Sequence, residues 1–384
     1  MTLRVAVLSC NSQAYSTRRL REACAKRGHH VKVLHTLRFS LLVESGKPAL
    51  FFRDRKLSRY DAVIPRIGAS ISSFGTAVVR QFEQMGVFSL NSSSAITASR
   101  DKLRSIQLLS RHEVGIPPTA FARDRNNFRQ SIESVGGAPV VIKLLEGAQG
   151  IGVLLAETTK LAEAIVETLH STRKDVVIQR FVSESRGRDI RALVVGDRVV
   201  AAISRQAAGD EFRANLHRGG RASKIELEPA FERTAIIAAQ VMGLHVAGVD
   251  MVEGPDGPQV LEVNSSPGLE GIEAATGVDV ASAIVEQLEQ RVTFPDLDLR
   301  QRLTLKSGYG VVEFRVPSGS EYAERALSEL SFSEREVRVL SITRDAAVLP
   351  NPRGAEVLRA GDVLLCFGSY ATLGALLPRP SPPL

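Results

Sequence analysis

The most constraining stretch in this 384-residue chain is GVDMVEGPDGPQVLEVNSSPG, residues 248–268. Two runs of alternating apolar and polar residues flank GPDGP, the pattern of a β-hairpin. With GPDGP as a five-residue connection, and Pro258 in the turn because it lacks an N–H, Asp250 falls directly opposite Glu262. Side chains two apart share a face, so Asn264 joins them, while Val249, Met251, Leu261 and Val263 point into a core. Carboxylates facing each other across strands repel. A divalent cation removes that penalty. Two carboxylates and an amide oxygen are hard ligands suited to magnesium, with manganese as the alternative ion. A solvated polar face would explain one such residue; it explains poorly three on one face followed by SSPG.

The rest of the chain alternates strand-like and helix-like segments, an α/β pattern at first and α+β later. LRVAVLSC reads as a buried strand, TRRLREACAKRG as an amphipathic helix stopping at Gly28, and HVKVL and YDAVIPRIG as further strands. This small parallel-sheet unit spans residues 1–95. Residues 96–113 read as one helix ended by GIPP. From Val135 onward longer strands are joined by glycine-rich turns, with helices near 158–171 and 230–242, and a second unit spans 96–292. A linker, 293–306, leads to a small α+β tail at 307–384, whose strands GVVEFRVP, VRVLSITRD and VLLCFG surround a helix expected at 321–330.

Lysine and arginine total 49 against 42 acidic residues, a formal charge of +7, which favours acidic partners such as nucleotides, phosphates or acidic peptides. The charge is dispersed and tryptophan is absent, so no stacking platform for nucleic acid is expected. No apolar run approaches the roughly 20 residues of a membrane span. The start lacks a signal-peptide layout, and Cys10, Cys24 and Cys366 are too scattered for a disulfide framework, so the cytoplasm is the expected compartment.

Two further stretches bear on phosphate chemistry. KLLEGAQGIGVLL puts Lys143 at a strand end and Gly147, Gly150 and Gly152 in the next loop. Glycines let backbone N–H groups approach phosphate oxygens, and a lysine adds a compact charge. A plain glycine-turn hairpin satisfies the same spacing. DEFRANLHRGGRAS gathers Arg213, Ala214, Asn215, His217 and Arg218 in one loop, where guanidinium forks suit phosphates or carboxylates. Arg100, Lys102 and Arg104 read first as a solvated helix face.

The order of Lys102, Lys143 with its flap, Asp189, RANLHRGG and DMVEGPDGPQVLEVNSSPGLEGIE resembles the ATP-grasp superfamily, and within it the RimK group. YDAVIPRIG, NSSSAITASRDKLRSIQLL and VGGAPVVIKLLEGAQGIGVLLAE carry the likeness through residues 1–290. The resemblance implies a two-subdomain ATP-grasp fold. It implies Lys102, Lys143, Gly150, Asp189, Arg213, Ala214 and Asn215 around ATP, Arg213 and Lys143 as catalytic groups, and Asp250, Glu262 and Asn264 on magnesium. Arg180 and Phe181 would form the adenine hinge. Relatives carry a glutamate followed by an aromatic there, so with Arg180 a backbone contact to adenine is expected and a side-chain contact to ribose is not. The tail resembles a TrkA-C (RCK-C) domain, a small regulatory or dimerising module, and implies a regulatory ligand and a homo-oligomer.

The implied reaction is ATP-dependent amide formation through an acylphosphate. The family adds L-glutamate to the acidic C-terminus of a small-subunit ribosomal protein, the sixth. Two alternatives share parts of the pattern: a ligase acting on a small cofactor or amino-acid carrier, and a ligand-sensing regulatory subunit.

Overall fold

The computed structural model describes residues 2–145, 152–209, 211–214, 219–293, 308–345, 347–369 and 371–373. The chain divides into two compact units, Met1–Pro295 and Asp296–Leu384.

The first unit contains three sheets that position the site. Arg4–Leu8 is buried on both faces and is the centre of a parallel sheet, between His30–Leu34 and Ala62–Pro65, with Phe88–Ser89 at the edge. Its alternate side chains serve different cores. Val5 and Val7 pack with Leu20 and Cys24 of the helix Tyr15–Lys26, whereas Ala6 and Leu8 pack with Val79 and Phe82 of the helix Ser72–Gln84. Such double burial is what a parallel sheet requires. A short antiparallel sheet, Phe39–Leu42, Ala49–Phe52 and Arg55–Lys56, adds to this region.

The second sheet is antiparallel, in the order Val153–Ala156, Val140–Leu144, Val176–Arg180, Thr119–Phe121. Its Ile142 and Ile178 pack under the helices Phe128–Ser134 and Thr159–Ser171. Because strand side chains alternate, Lys143 and Gln179 are turned to the opposite face.

The third sheet, also antiparallel, runs Arg221–Lys224, Arg198–Gln206, Arg188–Val195, Val246–Gly254, Gly257–Asn264. Ala192, Val194, Val249 and Met251 meet the helix Pro229–Val241 on one side. Leu193, Val195, Ala201 and Ile203 meet the helix Val280–Thr293 on the other, over one end of that face. The remaining end carries charge.

Three sequence expectations for the first unit are corrected. Residues 96–113 are not one helix but two, Ser93–Arg100 and Lys102–Arg111. Asp101, in extended conformation, ends the first and caps the second by accepting from the Arg104 N–H at 3.0 Å, the usual work of an aspartate at a helix start. In the hairpin the connection is the two residues Pro255 and Asp256, because Gly254 pairs with Gly257. Pro258 therefore lies in the ladder opposite Glu253, tolerated because its strand is at the sheet edge. The register then shifts between Asp250 and Met251: Met251 faces Val260, Asp250 faces Glu262, and Leu261 is the extra residue of a bulge. Hence Val260 is buried and Leu261 only partly so.

The second unit is an antiparallel sheet in the order Tyr309–Arg315, Val363–Ser369, Arg338–Arg344, Ala347–Pro350. No α-helix forms at 321–330; only the 3-10 turn Leu327–Glu329 does. The backbone there pairs with a neighbouring segment instead, through Glu324 N–H to Leu358 O, Leu327 N–H to Glu356 O and Ser328 N–H to Gly354 O. No helix among the described residues is long and apolar enough to cross a membrane.

Candidate active site

Strand pairing builds a row of charge across the third sheet. Asp189 is the cross-strand partner of Arg205, Arg191 of Asp250, and Asp250 of Glu262. Arg191 grips Asp250 bidentately, Nε to Oδ1 and Nη2 to Oδ2, both at 2.6 Å. Arg205 grips Asp189 at 2.6 and 2.7 Å and reaches Asp250 at 3.1 Å. Arg205 and Asp250 are each 3% exposed, so these charges are sustained by one another rather than by water. Burial alone would raise the Asp250 carboxyl, but Arg191 and Arg205 outweigh it and hold it well below the usual carboxylate range. Burial pushes Asp189 up, the Asp250 charge adds to that, and Arg205 opposes both.

Glu262 is exposed on the sheet and accepts a hydrogen bond at 2.9 Å from the Asn264 amide. The hairpin thus brings Asp250, Glu262 and Asn264 together, as its alternation predicts. Among the described residues no three His, Cys, Asp or Glu side chains form a metal cluster, so the fit of a cation rests on two carboxylates and one amide oxygen. Those donors suit a hard divalent ion. Glu262 accepts from Asn264 and has no guanidinium partner within hydrogen-bond distance among the described residues, whereas both Asp250 oxygens already accept from guanidinium groups. The Arg191–Asp250 contact is the one a cation would have to open.

Facing this row are two lysines. Burial pushes the Lys143 ammonium down to about 8; Glu262 opposes the shift and Lys102 reinforces it. Burial likewise lowers Lys102, whose Nζ donates to the Leu144 carbonyl at the root of the glycine-rich segment. Lys102, read from sequence alone as part of a solvated helix face, is instead drawn to the same carboxylate as Lys143. Gly147 and Gly150 lie outside the described residues, as do Asn215, His217 and Arg218.

Arg213 is bound to Glu211 through Nε and Nη2, at 2.8 and 2.7 Å, and donates to the Val153 carbonyl at 3.2 Å. Its guanidinium also lies 5.2 Å from the Phe212 ring centroid. Phe212 packs edge-on against Phe181, which joins the Arg213 loop to the hinge. Ala214 is buried. Arg180 is exposed, and the Arg180 and Phe181 N–H groups donate to the Pro118 and Pro139 carbonyls, so adenine would not find those donors free.

Sequence reasoning did not single out Arg191 and Arg205. In a strand reading they look like an ordinary polar face; only their position two residues from Asp189, or opposite it, hints at a buried row.

Family models match in three successive segments: a RimK PreATP-grasp domain over residues 3–96, a RimK-like ATP-grasp domain over 99–288, and a TrkA-C domain over 311–378. A protein of Rhodopirellula baltica called "Probable alpha-L-glutamate ligase" is 56% identical over 377 residues, 98% of this chain and 93% of that one. A Vibrio cholerae protein of the same description is 54% identical over 288 residues, 75% of this chain and 96% of its own length. Among solved structures, the ATP-grasp ligase PsnB with a phosphomimetic variant of its minimal precursor, Mg and ADP is similar at TM-score 0.59 and 23% identity, covering 76% of this chain and 99% of PsnB. A RimK domain protein from Sphaerobacter thermophilus is similar at TM-score 0.57 and 24% identity, covering 74% and 99%. At that identity the two structures show the fold. The full-length likeness and the domain succession settle the family and set aside the regulatory subunit without enzymatic activity: the chain belongs to the RimK-type alpha-L-glutamate ligases, ATP-dependent carboxylate–amine ligases of the ATP-grasp superfamily, with a TrkA-C domain following the ligase portion.

Proposed function

We propose that this protein joins the amine of L-glutamate to the C-terminal carboxylate of an acidic protein tail, and that the tail belongs to a small-subunit ribosomal protein, the sixth. The observation that carries the chemistry is the row Asp189–Arg205 and Arg191–Asp250–Glu262 facing Lys143 and Lys102. The relatives' names support glutamate, and the peptide-bound ligases of similar fold support a polypeptide acceptor.

An acceptor carboxylate oxygen attacks the γ-phosphorus of ATP and the bond to the β-phosphate oxygen breaks, leaving ADP and an acylphosphate. The glutamate nitrogen then attacks the acyl carbon, gives up a proton, and expels inorganic phosphate as the amide forms. Magnesium, held by Glu262, Asn264 and Asp250, would supply charge neutralisation at the phosphates. Lys143 and Lys102 bind phosphate oxygens, and Arg213 stabilises the charge on the transferred group. Asp189 keeps Arg205 in place, and Arg205 keeps Asp250 ionised. Acylphosphates are lost to water, so the reaction needs a site from which water is excluded; residues 146–151 of the glycine-rich stretch expected to cover it lie outside the described residues. Arg180 and Phe181 border the adenine, with Ala214, Asn215 and Gly150 completing the nucleotide site.

The TrkA-C unit is proposed to regulate the ligase through a small ligand or to assemble it as a homo-oligomer, in the cytoplasm. Incubation with ATP, magnesium, L-glutamate and the ribosomal protein should raise the acceptor's mass in glutamate steps. ADP release without any mass gain on that acceptor, but with a small carrier instead, would redirect the reading to the carrier.

A further inference from the structure

Two arginines beside the proposed site have no carboxylate partner among the described residues. Arg66 leaves the carboxyl end of the strand Ala62–Pro65, and its Nη2 donates to the Pro267 carbonyl at 2.7 Å. Arg100, the last residue of the helix Ser93–Arg100, donates through Nη2 to the Ile67 carbonyl. Each arginine is half-buried, and among the described residues each has only a neutral carbonyl as hydrogen-bond acceptor and the buried Nε of Arg100 has no partner. They are close enough to repel. Burial, with the neighbouring Arg100 adding to it, pushes Arg66 down to about 10; burial also lowers Arg100, against the pull of Glu262.

The loop between them and the metal face is equally unfinished. Ser265 is 3% exposed, and the Oγ atoms of Ser265 and Ser266 are buried without a partner among the described residues. This loop is not slack. The Ser265 carbonyl accepts from the Asn91 amide at 2.8 Å, the Pro267 carbonyl from Arg66, and the Leu269 N–H donates to Ser16 Oγ at 2.9 Å. The hydroxyls are therefore held at the carboxyl ends of the parallel sheet, the edge at which open α/β sheets take their ligands.

Unpaired buried charge is costly, and so are buried hydroxyls without partners. Among the described residues of the site, six cations (Arg66, Arg100, Lys102, Lys143, Arg191 and Arg205) face three carboxylates (Asp189, Asp250 and Glu262). Lys102 donates to the Leu144 carbonyl, both lysines are drawn to Glu262, and Arg191 and Arg205 are committed to Asp250. Arg66 and Arg100 are the surplus. We propose that Arg66 and Arg100, with the hydroxyls of Ser265 and Ser266, form a carboxylate subsite that holds the amino-acid or peptide substrate. This inference rests on the ligase reading above. That reaction assembles at least three carboxylates, the acceptor's C-terminal one and two on glutamate, and consumes the first; the guanidinium fork matches the planar group of those that must be held.

The test uses the full-length protein with ATP and magnesium. ADP release is measured as L-glutamate is varied at fixed acceptor peptide, then as the peptide is varied at fixed glutamate, the peptide ending in glutamate with a free or an amidated C-terminus. In Arg66→Gln, the KM for one carboxylate substrate should rise about 10- to 100-fold, the loss expected for a charge-assisted contact, with the KM for ATP unchanged. The substrate whose KM moves identifies which carboxylate the subsite holds. Ser265→Ala with Ser266→Ala guards against misfolding, because it removes hydroxyls with no partner among the described residues; the same KM should rise while the melting temperature holds. Unchanged KM for both substrates in these variants would overturn the subsite and leave the ligase reading standing. Absence of glutamate-dependent ADP release in the unaltered protein would instead count against the ligase reading. Calorimetric titration of L-glutamate and of the free-carboxylate peptide then decides the subsite by itself: weaker binding to Arg66→Gln supports it, and equal binding overturns it.

Discussion

Each unit of this protein contains a buried aspartate gripped bidentately by an arginine, and the two could be exchanged on paper. In the second unit Asp362 accepts from Arg344 Nε and Nη2 at 2.9 and 2.8 Å and from the Arg359 N–H at 2.8 Å. Arg344 in turn meets Glu356 and the Val357 carbonyl. Hydrogen bonding from Arg344 holds Asp362 below the usual carboxylate range, and positive and negative charge there are matched. In the first unit the Arg191–Asp250 pair has the same fork geometry, but it adjoins Lys102, Lys143, Arg66 and Arg100, with only Glu262 among the described residues to offset them. An ion pair therefore says little about function. What separates a structural pair from a site for anions is whether the neighbourhood is neutral once the pair is made.

The sharpest way to break this comparison is at the carboxylate that has no arginine. Glu262→Ala should lower turnover by about 10²- to 10³-fold or more, while thermal melting stays near that of the unaltered protein because the side chain is exposed. Full activity in that variant would refute the metal assignment.

The lysine gives the next largest effect. Lys143 in the fold has its pKa near 8 against an ordinary 10.5, so its charged form is disfavoured below pH 8, and that penalty fades as pH rises toward 10.5. ATP phosphates favour the charged form. ATP affinity should therefore fall as pH rises above 8, by at most about tenfold per pH unit, with proton uptake on binding. Calorimetry in buffers of different ionisation enthalpy checks this, and Lys143→Arg, which stays charged, should abolish the dependence. An uptake that survives in Lys143→Arg would place the titrating group elsewhere.

The matched pair responds in stability instead. Asp362→Ala should cost the C-terminal unit about 2 kcal/mol in denaturant unfolding, since Arg344 loses its principal partner. Smallest of all, deletion of Asp296–Leu384 should leave the basal rate per site unchanged and alter control or assembly, seen by ADP release and by sedimentation. Loss of all ATP binding in that truncation would show that the first unit does not stand alone.

The parallel sheet, the facing of Asp250 and Glu262, and Lys143 at a strand end were legible because hydrophobic alternation fixes which face a side chain takes. The break at Asp101 was hidden, since the apolar spacing runs on across it and only the capping geometry shows the stop. The helix expected near residue 325 lost to backbone pairing with residues 354–358, a long-range choice that local pattern does not encode. Arg66 and Arg100 were illegible for a related reason. Their significance lies in having no carboxylate partner among the described residues, which appears only once the fold has gathered their neighbours.

The bulge at Leu261 also changes how the hairpin tolerates alteration in length. Because Leu261 is the surplus residue between the pairs Met251–Val260 and Asp250–Glu262, removing it would turn the ladder regular and leave Glu262 opposite Asp250. The number of residues separating the two carboxylates is thus not what the chemistry depends on, and a search pattern written with that spacing fixed would reject a working site one residue shorter.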